Sequence, residues 1–254
     1  MPLEQVENEP VSAHTEGRRR IAALLLANRA GTEDWGEIAK YKGLRCPKKV
    51  ANRFLLCCLL DWQMNADVAW RNGERLIKDI FDDSENIWAE ISSVSEAEWE
   101  SRRTEYGLHR YPAGHDRLWC IASRICRQYN GNASNIWWGK ESSRVIEELW
   151  DLRAGEQISR MIVGALRDCG QVVGSSDVKA DAYVCRVLGR AVLGAPIKPP
   201  AATELSRELN PEDPWQLDWP LWSIEKHYCS KNAPCCSQCY LERDCVFAQE
   251  NRTN

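Results

Sequence analysis

Four cysteines near the C-terminus, Cys229, Cys236, Cys239 and Cys245, stand in the spacing C-x6-C-x2-C-x5-C, near enough for their thiolates to enclose one metal centre. By ligand chemistry alone, four soft sulfurs suit either a tetrahedral zinc ion or a [4Fe–4S] cube. Zinc patterns most often pair two short C-x2-C knuckles across a long stretch, whereas this loop has one knuckle, so the spacing favours iron–sulfur. Cys235 is then a spare thiol. Buried free cysteines or a disulfide are the bland alternative, which a reducing compartment disfavours in the disulfide case. Lys226, His227, Lys231 and Arg243 flank the loop and either offer a positive surface to a polyanion or keep it soluble. Other cysteines, Cys57, Cys58, Cys120, Cys126, Cys169 and Cys185, lie singly in apolar patterns, where a reduced thiol behaves as a small hydrophobe. Asp181, before Ala-Tyr-Val-Cys, is by residue type a helix N-cap.

These groups must be positioned by helices. Apolar residues recur at helical spacing almost throughout, as in Leu118, Ile121 and Ile125, or Ile158, Met161, Ile162, Ala165 and Leu166. Clear alternating strands are missing, and short turn signals such as Asn72-Gly73, Tyr111-Pro112-Ala113-Gly114 and Asn130-Gly131 punctuate the pattern. The chain has 254 residues, of which 44% are hydrophobic, with 12 tryptophans, which excludes disorder throughout. Its 37 acidic against 33 basic side chains, a net charge of -4, exclude a polybasic, histone-like protein. Residues 1–17 are polar and expected to fray, and Pro196, Pro199 and Pro200 stiffen the connection to the C-terminal part. The apolar run Ile21–Ala27 is far short of the roughly 18 residues that span a bilayer. Glu4, Glu7 and Glu9, with no small-residue cleavage site after Arg18-Arg19-Arg20, argue against a secretory signal. The expectation is a cytoplasmic protein without a membrane segment.

The cysteine spacing at the end of an all-helical chain resembles the cluster loop of the endonuclease III-like, helix-hairpin-helix DNA glycosylases. The segment Asp181-Ala-Tyr-Val-Cys-Arg-Val-Leu-Gly-Arg190 is similar to the family's catalytic segment, D-x-x-V-x-R-V-x-x-R. Leu59 to Asp67 is similar to its apolar helix ending in a glutamine-containing turn, Tyr106-Gly107-Leu108-His109 to its G-L-Y/G segment, and Tyr129-Asn130-Gly131 to its (H/N)-G turn. The family hairpin, L-P-G-V-G-x-K-T-A, is replaced by Leu152-Arg153-Ala154-Gly155-Glu156-Gln157-Ile158-Ser159-Arg160. With Gly155 on the first hairpin glycine, Ser159 falls where bifunctional members keep a lysine; shifted registers put Ile158 or Gln157 there. No lysine occurs between Lys140 and Lys179, so the amine that forms a Schiff base with opened deoxyribose is missing from the hairpin.

The resemblance implies an all-α, two-lobed helix-hairpin-helix glycosylase fold with a four-cysteine cluster loop. One lobe is expected at 50–169 with the hairpin, the other at 1–49 plus 170–254 with a [4Fe–4S] cluster on Cys229, Cys236, Cys239 and Cys245. Function follows as base excision from double-stranded DNA by a monofunctional enzyme, acting as a monomer in the cytoplasm, or on the nucleoid in a prokaryote. Asp181 is the implied catalytic carboxylate, facing the cationic sugar, with Ser159 at the lysine position. Ser159 matches the adenine-mismatch branch, but that branch's glutamate, five residues before the turn glutamine, is Cys58 here. Gln63 is the implied wedge at the gap left by a flipped-out base. Gly155, Arg153, Arg160, Lys179 and Arg186 would meet phosphates, and Tyr106, His109, Arg110 and Tyr111, above all His109 and Tyr111, would line the base pocket. Trp137 and Trp138 are read as core packing. Two rivals remain open: a DNA-binding iron–sulfur protein without catalysis, and a metal-stapled helical scaffold for a protein partner.

Overall fold

The computed structural model describes residues 9–29 and 32–252; the start of the polar stretch 1–17, residues 1–8, lies outside them. In chain order the helices are α1 (Glu9–Ala27), α2 (Lys48–Leu60), α3 (Ala66–Arg75), α4 (Ile87–Ser93) and α5 (Glu96–Ser101). Then come α6 (Arg103–Tyr106), α7 (Pro112–Tyr129), α8 (Ser134–Trp137), α9 (Ser142–Asp151) and α10 (Glu156–Asp168). The last are α11 (Ala182–Leu193), α12 (Pro199–Leu209), α13 (Asp218–His227) and α14 (Val246–Arg252). Among the described residues there is no sheet, only an isolated parallel bridge between Glu141 and Val173. The all-α expectation is met. No helix among these residues is long and apolar enough to cross a membrane.

The chain divides into two compact units, Gly31–Ser176 and Met1–Ala30 with Asp177–Asn254. The larger unit extends beyond 50 and 169 because Ile38 and Cys46 before α2, and Val172 after α10, are buried in one apolar core with those helices. α2 runs Lys-Lys-Val-Ala-Asn-Arg-Phe-Leu-Leu-Cys-Cys-Leu-Leu and buries nearly every residue from Val50 to Leu60, as expected for a helix apolar on all sides. Its one uncharged polar residue, Asn52, is fully satisfied: Nδ2 donates to the carbonyls of Glu85 (2.9 Å) and Gly131 (3.0 Å), and Oδ1 accepts from the N–H of Ala133 (2.8 Å). Trp137 is fully buried and Trp138 packs half-buried against the same core, both as expected.

The smaller unit has an aliphatic core: Ile21 and Leu25 from α1, Val184 and Leu188 from α11, Leu205 from α12, and Leu221 and Ile224 from α13. Buried Cys57, Cys58, Cys169 and Cys185 behave as small hydrophobes, but Cys120 is exposed on α7, on the outer side of the helix from Leu118 and Ile121.

Candidate functional site

In the larger unit, α2 ends at Asp61, whose backbone N–H reaches back to the Cys58 carbonyl, and Asn65 caps α3 by accepting from the N–H of Val68 at 3.3 Å. Gln63 stands at the crest of the turn between these helices. It is exposed, holds a left-handed backbone (φ 51°), and its amide makes no hydrogen bond. Non-glycine residues reach that region at a cost, and such strain gathers at functional sites.

The neighbouring Trp62 is held on three sides. His109 stacks on it at 5.5 Å and 19°, Tyr111 leans against it at 6.0 Å, and the guanidinium of Arg117 lies 5.0 Å over its ring. The Tyr111 N–H donates to His109 Nδ1 (3.0 Å), which leaves Nε2 to donate to the Trp62 carbonyl (2.7 Å). Both ring nitrogens of His109 are therefore used internally. That ring can lie where it does because residue 114 is glycine: a Cβ there would sit 2.3 Å from His109 Nδ1. Tyr111 is 39% exposed, with the Arg110 guanidinium 4.7 Å over its ring. Tyr106, by contrast, is core rather than pocket lining: it is 1% exposed, 5.3 Å from Trp99, and its hydroxyl accepts from Arg102.

Arg117 is the residue that sequence reasoning missed. Its Nη2 donates to the Leu59 carbonyl at the end of α2 (3.1 Å) and its Nη1 to the Ala154 carbonyl in the hairpin (3.3 Å), so one planar fork ties both turns together. Burial pushes its pKa down from the usual arginine range, which still leaves it a cation. No motif marks it in the sequence.

The hairpin joins α9 to α10 through Leu152, exposed Arg153 with a left-handed backbone (φ 65°), buried Ala154 and exposed Gly155. Gly155 adopts φ 87° and ψ 151°, a conformation that only glycine tolerates, and α10 starts directly after it with no side-chain cap. Ser159 is 0% exposed; its backbone N–H (2.9 Å) and its hydroxyl (2.8 Å) both donate to the Gly155 carbonyl. Ile158 is 3% exposed and Gln157 half-buried. Arg160 turns inward, its side chain 11% exposed and paired with Glu156 at 3.1 Å.

In the smaller unit, Asp181 caps α11 as its residue type predicts: Oδ1 accepts from the N–H groups of Tyr183 (2.8 Å) and Val184 (3.1 Å). Its Oδ2 lies 3.9 Å from Lys179 Nζ, and the two side chains are 24% and 20% exposed. The helix N-terminus and the Lys179 ammonium thus set positive charge on two sides of the carboxylate. Arg186 is paired with Glu225 at 2.7 Å.

The four loop cysteines line one small hollow together with Arg190, Ile224, Tyr228 and Leu241. Exposed Cys235 does not line it. Burial pushes the Cys239 thiol up to about 11, with the neighbouring sulfurs adding to the rise, and raises Cys236 and Cys245 likewise. Arg190 reaches in from α11, its Nη1 donating to Cys229 Sγ (3.4 Å) and the Ser230 carbonyl (2.9 Å). Among the described residues no three His, Cys, Asp or Glu side chains are grouped to hold a single metal ion.

No protein-family model matches the chain, and no curated protein does. The likeness is in three dimensions. A trapped endonuclease III–DNA covalent intermediate, in an estranged-adenine complex, matches with a TM-score of 0.60 over 92% of this chain and 98% of its own. The fold is that of endonuclease III. Identity to that structure is 15%. A non-covalent endonuclease III–DNA complex matches with a TM-score of 0.61 at 13% identity, covering 98% of this chain and 100% of that one. A thermostable thymine-DNA glycosylase matches at 0.60 and 15%, covering 94% and 99%. The endonuclease III fold is the one that the cysteine loop, the Asp181 segment and the glutamine turn implied.

Proposed function

We propose that this protein excises a base from double-stranded DNA by hydrolysing the N-glycosidic bond, without coupled strand cleavage. The observation that carries the reading is Asp181: a carboxylate pinned through one oxygen at the N-terminus of α11, its other oxygen beside Lys179 and partly open. As the bond from C1′ to the base nitrogen breaks, positive charge builds on the sugar, and a fixed carboxylate stabilises it. Water then forms the new bond to C1′, and its proton leaves as the base takes one up.

The remaining residues divide by exposure. Gln63 offers an unused donor and acceptor to an orphaned base edge, and Tyr111 an exposed ring for stacking. Arg153 and the uncapped N-terminus of α10 after Gly155 receive a phosphate. Ser159, Arg160 and His109 act from inside, holding the hairpin and Trp62 in place. Lys179 sets a positive charge beside Asp181, and Arg186 serves through its pair with Glu225.

Cys229, Cys236, Cys239 and Cys245 hold a [4Fe–4S] cluster in this reading. The four thiols line one hollow, and their spacing, with a single C-x2-C knuckle, favours the cluster over zinc. When bound, the cluster supplies sulfur–iron bonds that staple the loop.

Duplexes carrying different damaged or mismatched bases, half of each reaction treated with alkali, test the proposal. Strands should break only after alkali, borohydride should trap no protein–DNA adduct, and Asp181→Asn should abolish excision while binding persists. A trapped adduct would overturn the monofunctional assignment, and its mapping to Lys179 would name the amine. Absence of excision on every lesion, with binding intact, would favour a DNA-binding protein without catalysis.

A further inference from the structure

Arg117, Arg124 and Arg127 lie seven and three residues apart along α7, which sets them on one face of the helix. That face forms one wall of an open groove with about 1330 Å³ free of protein atoms, closed on the other sides by Ser92 of α4 and by Leu152 and Arg153 of the hairpin. Its lining includes four arginines and no carboxylate, in a chain whose net charge is -4. Ile121 and Trp119 also line it, the indole held by a bond from Nε1 to the Val94 carbonyl (2.8 Å).

Two of the arginines are lightly held. Arg124 pairs with Asp151 at 2.9 Å, a surface ion pair whose carboxylate is 66% exposed and so weakly held against water, and Arg127 donates through Nε to the Ser123 carbonyl at 3.3 Å, leaving its terminal nitrogens to solvent. Arg153 uses only its backbone N–H, which donates to the Trp150 carbonyl (2.8 Å); its guanidinium makes no hydrogen bond and stands where the groove meets the hairpin.

We propose that this groove is a second backbone-binding surface, which takes the phosphates of a nucleic acid strand against Arg124, Arg127 and Arg153. The inference rests on the DNA-binding reading and extends it from the hairpin along α7. A strand of regularly spaced phosphates suits an open, carboxylate-free channel that runs into the hairpin, and such contacts add affinity without sequence preference.

Anisotropy titrations of the holoprotein with an undamaged labelled duplex across a range of salt test it. The Arg124→Ala/Arg127→Ala variant should flatten the slope of log K against log salt by about 1.8, from about 0.9 per lost phosphate contact. Arg124→Lys/Arg127→Lys should restore the slope, and Asp151→Asn should tighten binding. Lys78→Ala/Arg144→Ala, which removes two charges elsewhere on the same unit, should leave the slope as it is. An unchanged slope in the Arg124→Ala/Arg127→Ala variant, with wild-type binding intact, overturns the groove and leaves base excision standing. A flattened slope in a protein that excises nothing upholds the groove and overturns excision. Arginine-dependent binding of polyglutamate without any effect on DNA would assign the groove to an acidic protein partner and overturn the proposal.

Discussion

In the larger unit Trp88, Trp99 and Trp137 are fully buried, and α2 passes through a core of large side chains. In the smaller unit the buried side chains are mostly aliphatic, and the core runs on into the cysteine loop, where Leu241 is buried and Cys229, Cys239 and Cys245 pack half-buried against it. Buried area scales with side-chain size, so the first unit draws its stability from its own hydrophobic contacts. The second includes a short irregular segment with little apolar surface, where binding of the proposed cluster would also be folding free energy. On the proposed reading, the larger unit is stable on its own contacts, and the smaller one shares its stability with the cluster.

The largest effect that separates the units is expected from Cys239→Ser. Hydrogen exchange should show protection lost in the loop and in α13 and α14, while α2 and α10 keep theirs; retained protection in the loop would break the contrast. Trp99→Ala should act in the opposite place. That ring is 1% exposed, stacks on His115 at 4.5 Å and donates from Nε1 to its carbonyl, so truncation should cost about 3–5 kcal/mol in urea unfolding. A loss well under 1 kcal/mol would show that the tryptophans fill space without holding the unit.

A core of that quality can hold strained turns. Gln63→Gly should stabilise the larger unit by about 1 kcal/mol, since glycine removes the left-handed penalty, while weakening affinity for a duplex with an abasic gap. Unchanged affinity would remove the wedge role. The smallest effect concerns pH. Burial pushes the His115 pKa below its ordinary value of about 6.5. The unfolded chain therefore takes up a proton that the folded one resists: the stability is fully present above about pH 6.5 and falls as pH drops below it. His115→Gln should flatten that part of the stability curve, and an unaltered curve would remove the assignment.

Spacing made the gathering of the four loop cysteines legible because so few residues separate them that one hollow can take all four, and Asp181 was legible as a cap because a carboxylate before an apolar helix has a local reason to be there. The helices showed for the same cause: one face of each meets a core. The bridge from Arg117 to the Leu59 and Ala154 carbonyls did not show, since backbone acceptors carry no residue identity. Tyr106 pointed the wrong way because an aromatic beside a turn fits a pocket and a core equally well, and only packing against Trp99 decides. The reach of the larger unit past residues 50 and 169 depends on Ile38, Cys46 and Val172, isolated apolar residues outside the periodic segments. The inward turn of Ser159 and Arg160 likewise follows from the φ of Gly155, which a residue letter does not state.

The close approach of His109 to Gly114 makes these two positions interdependent for anyone who varies the protein. Gly114→Ala alone collides with the imidazole and should unfold the loop before α7 or expel the ring from Trp62. In a His109→Ala background the same methyl group enters the space left behind, and the change should turn from harmful to neutral or beneficial. The sign of a substitution at 114 is thus set by the residue at 109. A mutational library that changes one position at a time would record both as intolerant and miss the viable pair.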